Sequence, residues 1–257
     1  MIDQAASILG LSQLALWHGF VVFLRVGALV TLLPGFGETA VPLRIKLGLA
    51  LAFTVPVAVA IDPFAGVPDW PDLAWLLITE PLSGALLGVS LRLFVLGLST
   101  AGSIAAQSTS LAQIFATAGG DPQPAMAHML VIAGLALAMM AGLHTKAVIF
   151  VILSYDMFPP ARLPDAETVS TWGVGLVSKV FALGFMLAVP FVIVSVLYNL
   201  TLGVINRAMP QLMVAFVGAP VITFGGLALL MLLSPLMLQV WLAAIDGFLL
   251  VPHEVAR

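Results

Sequence analysis

The sequence contains no cysteine, and only 8% of its 257 residues are Asp, Glu, Lys or Arg. The first absence excludes disulfides and thiolate chemistry and leaves the redox compartment open. The second excludes an ordinary water-facing surface, because globular domains carry about 25% charged residues. No Walker sequence and no Gly-x-Ser-x-Gly occurs, and nothing gathers serines and acids into a triad. His18, His128 and His144 show no metal-ligand spacing and no acid adjoins His18 or His144, so they read as polar contacts. No catalytic residue, metal or cofactor is expected, and a net charge of −3 is too small to argue for nucleic acid.

What is present is apolar. Hydrophobic residues make up 61% of the chain and mean hydropathy is +1.17, which points to an all-α polytopic membrane protein. A bilayer core about 30 Å thick needs roughly 20 apolar helical residues to cross it. Six segments qualify, at about 11–33, 43–61, 73–106, 125–154, 180–206 and 208–245. Pro34 to Pro42 ends the first, with two prolines and two glycines in nine residues. Val180 to Asn206 and Ala208 to Ile245 carry no charge at all. The link between them, Ile205-Asn-Arg-Ala-Met-Pro-Gln211, reads as the tip of a helical hairpin, with Arg207 its one charge and Pro210 suited to a turn. One domain over 1–257 is the economical reading.

Arg44, Lys46 and Arg207 mark two connections as cytoplasmic, whereas 62–72 and 155–170 are acidic. Six spans with both termini outside fit that alternation. Met1 to Gly10 holds Asp3 and no Lys or Arg, unlike a cleavable signal, so the first apolar segment is expected to remain in the mature protein. The third segment approaches a length of roughly 50 Å and the fifth roughly 40 Å, and the sixth is longer and contains Pro220 and Pro235. Such helices are overlong for a bilayer and suit a chain packed inside an assembly that projects beyond the lipid.

Small residues recur at four-residue spacing, as Gly84 and Gly88, Gly97, Ala101 and Ala105, then Gly134, Ala138 and Gly142. This spacing lets helix backbones approach closely, either within the chain or in a close-packed assembly. Arg25, Glu80, Arg92, Lys146, Lys179 and Asp246 fall in or beside the apolar runs, where charges pair or face a polar cavity. Glu80 and Arg92 share a segment, but a straight helix separates them by about 18 Å and about 120°. Each therefore needs a partner from another helix or chain. The stretch Gln107 to Pro124 is small and polar, with Gln107, Ser108, Thr109, Ser110, Gln113, Gly119, Gly120 and Asp121 among its residues. It reads either as an exposed loop or as a segment that lines or blocks a conduit, since irregular backbone at membrane depth needs cover.

Several fragments, in order and over nearly the whole chain, resemble one family. Phe23-Leu-Arg-Val-Gly-Ala28, Leu33-Pro-Gly-Phe-Gly37 and Val41-Pro-Leu-Arg-Ile-Lys-Leu-Gly-Leu-Ala-Leu51 look like the N-terminal region of the flagellar biosynthetic protein FliR family. Glu80 with Gly84 and Gly88, the 107–122 stretch, Ser154-Tyr-Asp-Met-Phe-Pro159, and Asn206-Arg-Ala-Met-Pro-Gln211 followed by Gly218-Ala-Pro220 continue the match.

The resemblance implies a subunit of the type III protein export gate in the bacterial inner membrane at the flagellar basal body. Its helical hairpins would wind into a spiral pore with FliP-like and FliQ-like chains, raised partly toward the periplasm. An FlhB-like protein is a further implied partner, with an FlhA-like protein, lipid and passing unfolded substrates. It further implies a FliP-like portion over about 1–170 and a FliQ-like hairpin over about 171–251. The hairpin tip, Asn206, Arg207, Pro210 and Gln211, would then lie near the FlhB-like protein. A plug would fall on Gln107 to Asp121, including Leu111, Ile114 and Phe115, although Gln113 to Gly120 is less apolar than the family's plug. Glu80 and Arg92 are expected to hold interchain geometry, and Gly84, Gly88, Gly97, Ala101, Gly134 and Gly142 to pack helices closely. The alternatives are an injectisome (SctT-type) homologue, a permease working alone, or an intramembrane enzyme.

Overall fold

The computed structural model describes residues 2–64, 69–109, 125–209 and 214–252, and no strand occurs among them. Seven helices follow one another: α1 (Ile2–Leu32), α2 (Leu43–Ala60), α3 (Trp70–Thr109), α4 (Ala125–Met140), α5 (Leu143–Met157), α6 (Ala166–Ala208) and α7 (Val214–Leu250). Helices are what such a sequence must form where lipid surrounds it, because only internal hydrogen bonding can satisfy the backbone there. Five of them are long and apolar enough to cross a membrane, and α4 and α5 pass the same test only together, bent by 74° at the break between them.

The helix ends follow local chemistry. After α1, the Gly37 amide donates to the Leu33 carbonyl at 2.6 Å, and a side chain at Gly37 would collide with the Leu33 oxygen. Asp165 opens α6 by accepting from both the amide and the hydroxyl of Thr168, each at 2.9 Å. The fifth apolar segment starts earlier than Val180 because Glu167 and Lys179 point outward and so do not interrupt a helix. The fourth segment requires a correction. It is two helices rather than one, and Gly142, expected to pack helices closely, sits between them at φ +81° with nothing near its Cβ position. Its role is the left-handed turn that an L side chain adopts only at a cost.

Two compact units emerge from the packing, both discontinuous in sequence. The first comprises 1–93, 141–176 and 246–257. Here α1 packs along α2, and Val22, Val26, Leu29, Leu87, Leu91 and Phe150 are fully buried. Phe150, Phe248, Trp172 and Phe158 form an aromatic run with centroids 5.4, 6.1 and 6.2 Å apart. Its one indole N–H, on Trp172, donates to the Pro252 carbonyl at 2.8 Å.

The second unit comprises 94–140 and 177–245. Trp241 is fully buried at its centre and donates to the Phe94 carbonyl at 2.8 Å. Small residues set its helix crossings. A Cβ on Gly184 would lie 2.7 Å from the Gly97 carbonyl oxygen, and one on Gly134 would lie 2.6 Å from Leu98. Ala101 is fully buried between such contacts.

Candidate functional site

The first unit holds a charged centre where α1, α3, α5 and the turn after α5 meet. Arg25, from α1, is completely buried. Its Nε donates to Glu80 Oε2 at 2.8 Å, Nη1 to Ser154 Oγ at 3.1 Å and Nη2 to the Phe158 carbonyl at 2.9 Å. The face of the guanidinium lies 3.7 Å over the Tyr155 ring, a favourable cation–π geometry. Glu80, also buried, uses its second oxygen to accept from the Ala161 amide at 3.2 Å. Trp75, just over one turn earlier on α3, donates to the Ala161 carbonyl at 2.9 Å.

The sequence builds this centre by a close helix crossing. Gly84 lies one turn after Glu80, and a Cβ there would overlap the Arg25 carbonyl. At Gly88 it would fall 2.6 Å from Leu32 Cβ. Two glycines four residues apart thus let α1 approach α3, close enough for Arg25 to reach Glu80. A buried charge survives only when paired and hydrogen-bonded, and here each of the three guanidinium nitrogens has a partner.

These contacts correct the reason for giving Glu80 an interchain role. It does need a partner outside its own helix, but this chain supplies one 55 residues earlier. Arg92 approaches Glu38 at 3.9 Å with both side chains 43% exposed, a contact worth little in itself. Lys146 pairs with Asp246 at 2.7 Å, half-exposed. Gly84, Gly88, Gly97 and Gly134 make their close contacts inside the chain. His18 donates from Nε2 to the Ala58 carbonyl at 2.7 Å while Nδ1 faces the Phe64 amide at 3.4 Å, so it is a polar contact. No group of His, Cys, Asp or Glu suited to a metal occurs among the described residues.

The remaining sequence candidates are placed only in part. Gln107, Ser108 and Thr109 end α3, with Gln107 exposed and Thr109 buried against Gly226. The rest of the expected plug, Ser110 to Asp121, lies outside the described residues, as do Pro210 and Gln211. Asn206 and Arg207 are exposed in the last turn of α6, where a cation complements the helix dipole. The pairing of Arg25 with Glu80 was not read from the sequence. Two opposite charges, in two different apolar runs, were the available signal.

Residues 16–248 match the family model described as bacterial export proteins, family 1. The chain is 35% identical to the flagellar biosynthetic protein FliR of Caulobacter vibrioides over 225 residues, covering 86% of this chain and 90% of the relative. It is 31% identical to FliR of Escherichia coli over 238 residues, covering 91% and 89%. With FliR of Pectobacterium carotovorum the identity is 30% over 223 residues, covering 84% of each. The chain therefore belongs to family 1 of the bacterial export proteins, the family of these FliR proteins.

Proposed function

We propose that this chain is a subunit of the flagellar type III export gate in the inner membrane. It helps to form and seal the conduit through which unfolded flagellar proteins leave. It acts by packing and gating, without covalent chemistry. FliP-like and FliQ-like chains are its partners, with an FlhB-like protein near the tip at Asn206 and Arg207, and an FlhA-like protein further out. The FliP-like portion covers about 1–170 and the FliQ-like hairpin about 171–251. Gln107 to Asp121 obstructs the lumen at rest, and Arg92, half-exposed, is the better candidate for an interchain contact.

One observation carries the assembly reading beyond the family match. Large exposed apolar side chains run along α6 from Val174 through Phe181, Phe185, Ile193 and Leu200 to Ile205. That span rises about 47 Å, and even a 40° tilt leaves about 36 Å to be covered by a hydrocarbon core about 30 Å thick. A stripe longer than the hydrocarbon core suits protein partners that reach above it. This favours an assembly that projects toward the periplasm over a permease working alone. Arg44, Lys46 and Arg207 in one set of connections, against Arg162 alone among the described residues of the other, support termini on the outer side.

Native mass spectrometry of the tagged chain, co-expressed with FliP-like and FliQ-like partners and extracted in mild detergent, tests the proposal. One large complex holding a single copy of this chain is the expected result. A monomer or homodimer that ignores both partners would overturn it.

A further inference from the structure

The end of α5 and the turn that follows it carry two unfavourable features. Ala161 has φ 57°, in the left-handed region where a Cβ meets the neighbouring carbonyl. Tyr155 Oη is buried with no hydrogen-bond partner among the described residues, although the large majority of buried polar side-chain atoms have one. The contacts that hold these features come from other helices. Ala161 is gripped at its amide by Glu80 and at its carbonyl by Trp75, while Phe158 is gripped at its carbonyl by Arg25. Arg25 also presses on the Tyr155 ring. Besides the Phe158 amide's bond to the Ser154 carbonyl at 2.7 Å, the bonds that hold this conformation come from side chains of α1 and α3.

We propose that Arg25, Glu80 and Trp75 form a latch under strain, which holds residues 158–161 closed at rest and releases them when the gate opens. The release step rests on the export-gate reading above. In the released form Ala161 leaves the left-handed region and the Tyr155 hydroxyl gains an acceptor. The Arg25–Glu80 bond persists, because separating two buried charges costs far more than the strain returns. What changes is their hold on the Phe158 carbonyl and the Ala161 amide.

Two substitutions relieve the strain without touching the ion pair. Ala161→Gly accepts the left-handed conformation freely, and Tyr155→Phe removes the unpaired hydroxyl but keeps the ring. Each is made in the full chain within its assembled complex in lipid nanodiscs. Exchange of the amides at positions 158 and 161 is expected to slow about three- to tenfold. Export of flagellar substrate in cells is expected to fall by a comparable factor, with assembly of the complex intact. Trp75→Phe, which loses one grip, should speed the same exchange. Slowed exchange with export at the parent level would show a purely structural turn and overturn the latch. Unchanged exchange in both relieving variants would show that no strain is stored and would overturn it as well. Ala161→Gly carries the test alone should Tyr155→Phe not fold. Normal export in a strain lacking this chain would defeat the export-gate reading instead, and the exchange measurement would still judge the strain.

Discussion

The Arg25 carbonyl occupies the place that a Cβ on Gly84 would need. The residue that sends its guanidinium to Glu80 thus also sets the backbone contact one turn further along α3. A substitution at Gly84 should push α1 away and lengthen the ion pair together with the packing. Gly84→Ala is expected to cost about 1–3 kcal/mol, the range of overpacked cores. Gly48, with nothing near its Cβ position, is the control, where Ala should be neutral or stabilising by about 0.4–1 kcal/mol. Thermal unfolding in detergent measures both, and equal effects at the two sites would count against the crossing.

The ion pair predicts strong non-additivity. Glu80→Leu or Arg25→Met alone strands a buried charge or its hydrogen-bonding partners and should cost about 3–5 kcal/mol. The double variant, Arg25→Met with Glu80→Leu, removes both charges and should lose less than the sum. It still forfeits the bonds to Phe158 and Ala161, so it should not regain parent stability. A double-mutant cycle by chemical unfolding gives the coupling directly. Simple additivity would mean that the charges do not interact.

The apolar runs made the helices legible, because a charge-free stretch longer than a bilayer crossing has few other fates. Arg25 and Glu80 were also legible as intramembrane charges. Their pairing was not, since it depends on a crossing 55 residues apart in sequence, and Glu80 had a misleading neighbour of opposite sign in Arg92 on its own helix. The break at Gly142 was missed because Ala138 and Gly142 continue a four-residue rhythm that packing glycines share; only the backbone angle separates the two roles. Trp75 was missed because an indole within an apolar run signals nothing until the turn beyond α5 is placed against it, and Tyr155, read as the start of an acidic connection, gave no sign of its contact with Arg25.

Asp165 predicts a pH effect confined to the start of α6. The Thr168 amide, and then its hydroxyl, hold the exposed carboxyl below its ordinary value. A group whose folded pKa is depressed stabilises above its unfolded pKa and loses that contribution as pH falls through the folded value. The first turn of α6 should therefore open in acid, below the usual carboxylate range, and not near neutrality. Exchange at the Thr168 amide, normalised for intrinsic rate, should rise there in the parent. In Asp165→Ala it should already be fast at neutral pH and show no such step. An acid step of equal size in that variant would assign the titration elsewhere.

The proposed plug makes the sharpest functional prediction. A conduit wide enough for an unfolded chain leaks ions unless something occupies its lumen at rest, and Gln107 to Asp121 is the stretch whose composition and place between α3 and α4 suit that task. Deleting 110–121 while keeping Gln107, Ser108 and Thr109 preserves the buried Thr109–Gly226 contact at the end of α3, so the helix should still pack. The assembled complex, reconstituted in planar bilayers, is expected to gain a steady conductance that the parent lacks. A complex that assembles normally and stays as tight as the parent would move the seal to another segment.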